Sequence, residues 1–294
     1  MGTSLTVSER STGWWLSALR RRRERMHYEK LDLSQPVEWE SEAERTAAVA
    51  FFNAAFRAEE SGLRQAHELA DEIAQVDADL AETLRLYGDE EGWHRELLTE
   101  FLDHIGGQIK PMGRVTGTFY KLYGRAKRME SIVLVNLMFE TIGSTTYRLA
   151  LSRVKHPAIR PMLTILTRDE SFHVPLNVHF LKHAMKGKSA SSRLRLRMLY
   201  KLMFLALLGS AYASRRKAAA FDKISFNELA AAYAEHLAAL FAKEPELGFF
   251  PPPFVLAALG IDGKGLATSE AAKRVSVEEA ERAIDRESTV VSAL

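Results

Sequence analysis

Four stretches between residues 43 and 186 repeat apolar side chains every three or four positions, and this periodicity restricts the fold more than any other feature of the chain. Residues at that spacing share one face of an α-helix. Alanine, leucine, glutamate and arginine are abundant there, and the alternation typical of strands is absent. The pattern predicts four helices, over about 43–75, 78–104, 127–154, and from Pro157–Pro161 to Gly187.

The connection between the second and third helices is much longer than the other two. It starts at Gly106-Gly107, a glycine stop signal. One long connection is typical of a four-helix bundle with one long crossover, which is an all-α fold. We therefore expect an N-terminal arm (1–42), the bundle (43–187), and a C-terminal extension of extra helices with a polar tail (188–294).

The two flanking parts carry clustered basic residues. The arm contains the run Arg20–Arg23, which predicts a solvated face or a docking patch for an acidic partner. The pair Glu24 and His27 follows it without an apolar stripe, so we interpret this pair as surface. In the extension, basic residues flank the apolar run 202–208, which predicts a helix that packs on the bundle or lies on an anionic membrane.

Composition narrows the classes of function. The 294 residues are 47% hydrophobic and 27% charged, with a net charge of +2, so no global field selects nucleic acid or membrane. The absence of cysteine excludes disulfides and iron–sulfur ligation, so any electrons that a reaction of this protein needs must come from another protein or a small reductant. No signal-like run follows the start and no stretch reaches about 20 apolar residues. We expect a cytoplasmic protein.

Two Glu-x-x-His patterns lie in the middle of apolar stripes. Glu91 and His94 belong to the second predicted helix, and Glu170 and His173 to the fourth. Residues three apart share a helix face, so each pair directs one carboxylate and one imidazole at the same buried point.

The other two predicted helices each place one carboxylate on the buried face. Glu59 follows Phe52 and Phe56 on that face, whereas its neighbour Glu60 falls on the polar face. Glu140 stands among apolar residues of the third helix.

Four carboxylates in one apolar core cannot stay ionised without counter-charge. Two divalent cations would neutralise them, and carboxylate and imidazole suit iron, manganese or zinc.

The sequence resembles the ferritin-like superfamily of di-iron carboxylate proteins over about residues 43–186. The residues that carry the resemblance are Glu59, Glu91-Gly92-Trp93-His94, Glu140 and Asp169-Glu170-Ser171-Phe172-His173. It implies that two iron ions, or a manganese/iron pair, are held by six ligands: Glu59, Glu91, His94, Glu140, Glu170 and His173. It also implies that Asp169 orients His94 and that Glu90 orients His173.

Departures from known patterns favour particular branches of that superfamily. Leu98 stands where the radical-generating ribonucleotide reductase subunit has a tyrosine, and Leu166 where arylamine N-oxygenases have an extra histidine. Among the branches of the superfamily, the sequence is then most similar to oxygenases, desaturases and aldehyde-deformylating enzymes. These activate dioxygen to oxidise an apolar small molecule or acyl chain, with electrons from a ferredoxin or reductase. Ser144, one turn after Glu140, is a candidate catalytic residue beside the metals.

Two other functions stay open at this point. One is a ferroxidase or iron-handling protein without an organic substrate, and the other is a scaffold in which the metal only stabilises the fold. We expect no nucleic acid partner. A peripheral membrane contact, an acidic carrier protein and a homodimer are further expectations.

Overall fold

The computed structural model describes residues 10–111, 128–274 and residue 282, and within them every regular element is helical. The predicted all-α class is confirmed. The α-helices are α1 (Thr12–Met26), α2 (Glu42–Ile73), α3 (Ala78–His104), α4 (Met129–Arg153), α5 (Arg160–Met185), α6 (Ala190–Asp222), α7 (Phe226–Lys243), α8 (Pro253–Ala258) and α9 (Glu270–Arg274). Short 3₁₀ turns at Pro245–Leu247 and Leu266–Thr268 complete the C-terminal part.

Local signals explain where the long helices begin and end. The Ser41 hydroxyl accepts a hydrogen bond from the Glu44 backbone N–H at 3.1 Å, which caps α2. The Asp77 carboxylate caps α3 through the Leu80 N–H at 2.9 Å. After α3, Gly106 adopts φ +69°, a left-handed conformation that glycine reaches without strain. The predicted glycine stop is therefore used.

The helices α2 to α5 enclose a common core. Helix α2 packs along α3 and α4 along α5, and the two pairs meet through contacts of α2 with α4 and of α3 with α5. These four helices match the sequence prediction to within about three residues at each end. Residues 112–127 of the long connection lie outside the described residues, so the crossover stays a prediction.

The N-terminal arm is not only a solvated segment, because it contains α1 and this helix packs against α3. The ring of Trp15 is buried and meets Phe172 edge-to-face, with ring centroids 5.4 Å apart. The prediction of a solvated face holds for Arg21 and Arg23, which are exposed, and is wrong for Arg22, which is buried. Helix α1 therefore belongs to the packed core.

Helices α6 and α7 extend the core on another side. Helix α6 contacts α2, α4 and α7, and Phe204 stacks on Tyr233 with ring centroids 5.7 Å apart. The helical segment 190–216 is long and apolar enough to cross a membrane, judged by length and composition only. Of its most apolar 18 residues, 22% are buried in the protein. The sequence prediction concerned a stretch of about 20 apolar residues; this helix meets the test by its mean hydropathy although Lys201 lies within it.

Candidate metal site

The six predicted ligands come together in the interior of the four helices α2 to α5. Helix α2 supplies Glu59, α3 supplies Glu91 and His94, α4 supplies Glu140, and α5 supplies Glu170 and His173; all six are buried. Two groups have donor atoms that all lie within 4.8 Å of one another. They are Glu91 with both histidines, and Glu140 with Glu170 and His173. These are buried Glu/His groups at metal-binding distance.

Glu91 lies between the two histidines. Its Oε2 is 3.9 Å from His94 Nδ1 and its Oε1 is 3.2 Å from His173 Nδ1. Glu59 Oε2 approaches His94 Nδ1 to 3.5 Å, and Glu140 Oε2 approaches His173 Nδ1 to 3.6 Å. Both imidazoles therefore turn Nδ1 toward the same cluster of carboxylate oxygens.

Polar atoms at this point lack hydrogen bonds. The buried atoms without a hydrogen-bond partner include Glu59 Oε1, Glu91 Oε1, Glu170 Oε2, His94 Nδ1 and His173 Nδ1. Buried polar groups are nearly always satisfied in folded proteins, so a cluster of orphans converging on one point requires an explanation. Oxygen and nitrogen donors of this kind fit a transition-metal ion.

Among the described residues, no arginine or lysine is one of the largest influences on the pKa of the four inner carboxylates. Burial and the repulsion of neighbouring carboxylates raise the pKa of Glu91 and of Glu170 well above the ordinary value. Burial raises the pKa of Glu59 to about 7. Burial opposes ionisation of Glu140 too, but hydrogen bonds from Glu170 and Tyr87 and the nearby imidazole of His173 lower its pKa to about 2. Burial and mutual repulsion therefore favour the protonated form of Glu59, Glu91 and Glu170 over the ionised form.

A second, outer layer of two buried carboxylates, Asp169 and Glu90, is paired with arginines. Asp169 Oδ1 accepts hydrogen bonds from Arg22 and Arg25 at 3.0 Å each and from Arg168 at 2.8 Å. Glu90 accepts from Arg22 Nε at 3.0 Å and from Arg25 at 3.0 Å. The helix α1 thus brings two guanidinium groups into the interior.

These arginines keep the outer carboxylates ionised. Burial alone would raise the pKa of Asp169, but Arg168, Arg25 and Arg22 hold it well below its ordinary value. Burial is likewise overcome at Glu90, where Arg22 lowers the pKa. An ionised carboxylate only accepts hydrogen bonds.

The outer carboxylates face the far nitrogens of the two histidines. Asp169 Oδ2 accepts from His94 Nε2 at 2.9 Å, and Glu90 Oε2 lies 3.4 Å from His173 Nε2. A proton held on Nε2 leaves the Nδ1 lone pair of His94 directed at the inner cluster. Glu90, His94 and Asp169 also bring donor atoms within 4.8 Å of one another. Their carboxylates are already occupied by arginine, so this group forms the support of the site.

A small cavity of about 30 Å³ adjoins the inner cluster. Its lining includes all four inner carboxylates together with Gly62, Phe139, Gly143 and Tyr147. Ser144 is buried next to this wall, and its hydroxyl lies 3.4 Å from an Arg148 nitrogen that is also 3.4 Å from Ser171. Gly143, the residue before Ser144, faces the cavity, so the catalytic role suggested for Ser144 stays a prediction.

Some contributing residues were not identified from the sequence. Arg22 and Arg25 continue the stripe of Trp15, Ala18 and Leu19 at helical spacing, and this signal was available in the sequence. The charge of both residues concealed it, because arginine on an apolar face is usually solvent-facing at its tip. Tyr87, which donates to Glu140, sits in the predicted stripe of α3 but had no assigned role.

Comparison of the chain with models of protein families, with curated proteins and with solved structures finds no match.

Proposed function

We propose that this chain is a ferritin-like four-helix-bundle oxidoreductase that holds two iron ions between the six inner residues and activates dioxygen to oxidise an apolar substrate. One observation carries the proposal: the two layers of carboxylates differ in their counter-charge. The outer acids are neutralised by Arg22, Arg25 and Arg168. The inner four carboxylates meet the two histidines and Tyr87, and several polar atoms of this cluster have no hydrogen-bond partner. Two divalent cations would balance their four charges.

The donor set is compatible with iron, as it is with manganese or zinc. Glutamate oxygens and imidazole nitrogens, without thiolate, suit iron or a manganese/iron pair. When bound, such metals supply one-electron steps and dioxygen reduction that no side chain supplies.

The chain's own residues position the ligands and control protons. Asp169, fixed by three arginines, keeps the His94 proton on Nε2. Tyr87 donates to Glu140 Oε1 and fixes the rotamer of that carboxylate. Buried side chains on all four helices exclude water, which lowers the local dielectric and strengthens each of these contacts.

The cavity bears on the nature of the substrate. A volume of about 30 Å³ accommodates a diatomic molecule, whereas pockets for organic ligands are usually on the order of 300 Å³ or more. An acyl or other apolar substrate therefore requires displacement of wall residues such as Phe139 or Tyr147. The same observation favours the second candidate, a ferroxidase or iron-handling protein that needs no organic substrate.

Anaerobic titration with ferrous iron tests the metal site. We expect saturation at two ions per chain, with optical changes on mixing with oxygen. Glu140→Ala and His173→Ala should abolish both signals, whereas Glu60→Gln, at the neighbouring polar position of α2, should preserve them. The proposal is contradicted if the wild-type protein binds no iron, or if both site variants bind iron as the wild-type protein does.

Oxygen uptake by the reduced protein then separates the two functions. An oxidoreductase with an organic substrate consumes oxygen repeatedly when an electron donor and an apolar substrate are supplied, and yields an oxygenated, desaturated or shortened product. A ferroxidase consumes oxygen in proportion to added ferrous iron and accumulates ferric iron. Repeated oxidation of ferrous iron without oxidation of an organic substrate would favour the ferroxidase over the oxidoreductase.

A further inference from the structure

The outward face of α6 is apolar over most of its length. Its large exposed side chains are Leu194, Met198, Leu202, Leu205 and Tyr212, with between 46% and 66% of each exposed. Steps of three, four and seven residues place them along one ridge of the helix. The ridge is about 27 Å long at helical rise. A ridge of large apolar residues in water is unfavourable unless another apolar phase covers it.

The same helix carries a concentrated positive charge. From Ser189 to Phe221 the sequence contains seven lysines and arginines and no acidic residue, and the only acid of the helix is its last residue, the buried Asp222. Since the whole chain has a net charge of +2, the remaining residues carry a net charge of −5. Arg195 and Lys201 are exposed beside the apolar ridge, and Arg216 is exposed at its end. Long basic side chains in these positions extend their charged ends past apolar surface.

The opposite face of α6 fixes how the helix can meet a membrane. Leu196, Tyr200, Met203 and Phe204 are buried against the rest of the protein. Crossing a bilayer would require this face to leave the core, although the length of the helix alone would permit a span. With the inner face retained, only the outer ridge is free to enter an apolar phase, to the depth of one helix surface.

We propose that the outer face of α6 binds an anionic lipid bilayer, with Met198, Leu202 and Leu205 inserted at the acyl boundary and the basic residues in contact with the lipid head groups. Apolar insertion and electrostatic attraction both contribute to binding of this kind. A second copy of the chain is a poor occupant, because a symmetric contact would place the same basic face against itself. The inference does not depend on the proposed metal chemistry.

Co-sedimentation of the full-length protein with vesicles tests the proposal. One set of vesicles is pure phosphatidylcholine and the other contains about 30 mol % phosphatidylglycerol. We expect binding at least about tenfold stronger to the anionic vesicles, and weaker binding as salt is raised.

Paired variants separate the two contributions. Met198→Glu/Leu202→Glu should reduce binding by about tenfold or more, whereas Val76→Glu, at an even more exposed apolar residue in the α2–α3 turn, should not. Arg195→Glu/Lys201→Glu should remove the preference for anionic vesicles, whereas Arg21→Glu/Arg23→Glu on α1 should keep it. Circular dichroism and the melting temperature establish that each variant is folded.

Three outcomes overturn the proposal. The first is absence of wild-type binding to anionic vesicles. The second is a stable dimer that Met198→Glu/Leu202→Glu dissociates, since this would assign the face to a second copy. The third is binding to a soluble polyanion such as polyglutamate that is as strong as binding to anionic vesicles and is unchanged in Met198→Glu/Leu202→Glu. This result would assign the outer face of α6 to an acidic protein.

Discussion

At the scale of single residues, the site is defined by which acids have an arginine and which do not. Glu90 and Glu91 are adjacent in the sequence and both are buried, yet the pKa of Glu90 is lowered and that of Glu91 is raised well above its ordinary value. Burial acts on both in the same direction. Arg22 reaches Glu90 and opposes burial there, whereas Glu59 and Glu140 repel Glu91.

Replacing Glu59 by glutamine should stabilise the metal-free protein at pH 8 while weakening metal binding. The free energy of unfolding should rise by about 1–3 kcal/mol, because a neutral amide removes a buried charge that the metal-free protein tolerates poorly. Urea unfolding with and without metal measures both effects. Glu60→Gln is the matched control and should change neither, because Glu60 is partly exposed and paired with Arg57. Loss of stability in Glu59→Gln together with unchanged metal binding would argue against the ligand role.

Replacing Arg22 by methionine should destabilise the protein by about 3 kcal/mol, since it leaves part of the charge of Glu90 and Asp169 buried without a partner. Arg23→Met, at the exposed neighbour, should cost less than about 0.5 kcal/mol. The double variant Arg22→Met/Glu90→Gln should recover much of the loss, and a double-mutant cycle in urea measures the coupling.

The same Arg22 variant distinguishes support of the ligands from plain structural damage. If Arg22 acts through the histidines, metal affinity should fall about 10- to 100-fold while the fold is retained. A metal affinity equal to that of the wild-type protein would refute this positioning role.

At the scale of elements, close helix packing brings the ligands together. A Cβ atom added at Gly62 of α2 would lie 3.3 Å from Glu91 Cγ and Cδ, a tight contact with a carboxylate of the site. A Cβ atom added at Gly92 of α3 would lie 3.5 Å from a Leu63 methyl group, an ordinary contact. The two glycines therefore have different effects on the same helix pair.

Replacing each glycine by alanine tests this difference. Gly92→Ala should stabilise the protein by about 0.5–1 kcal/mol, because alanine has the higher helix propensity and space is available. Gly62→Ala should lack most of that gain and should weaken metal binding by displacing Glu91. Thermal melts and metal titration measure the two effects. A Gly62→Ala variant with the full gain and unchanged metal affinity would show that Glu91 has room to move.

Helix α1 shows how an element outside the four long helices completes the site. Its apolar residues pack on α3 and α5, and the same face carries Arg22 and Arg25. The guanidinium of Arg22 lies over the Phe172 ring at 4.2 Å, and that of Arg25 over the Trp93 ring at 5.2 Å. Stacking and ion pairing together fix the arginines in the core.

At the scale of the whole molecule, the inner cluster links stability to pH. The pKa of Glu59 is raised from 4.5 to about 7, so between these values the folded metal-free protein holds a proton that the unfolded chain has released. The contribution of Glu59 to the free energy of unfolding is therefore largest below about pH 4.5. It decreases as pH rises and is lost above about pH 7. The raised pKa values of Glu91 and Glu170 act in the same direction.

The melting temperature of the metal-free protein should accordingly fall as pH rises from about 5 to 8, and saturating metal should reverse this dependence, because cations replace the protons. Calorimetry at several pH values with and without metal checks this. Glu59→Gln should flatten part of the metal-free profile. A metal-free protein whose stability rises over that interval would contradict the assignment of buried, repelling carboxylates.

The sequence by itself determined the helical class, the bounds of the long helices and the identity of the inner acids and histidines. The physical reason is that helical periodicity is local: Glu91 and His94 share a face with Leu84 and Leu98 whatever the rest of the chain does. Glu59 could be separated from Glu60 by the same rule.

Only the tertiary structure decided which distant charges meet. Arg22 lies 147 residues from Asp169 in the chain, and no local pattern links them. Whether a basic helix face is solvated, as at Arg21, or inserted between two carboxylates depends on what packs against it. The same holds for α6, which has apolar residues on two faces that the sequence does not distinguish. Packing buries Phe204 on one face and leaves Leu202 exposed on the other.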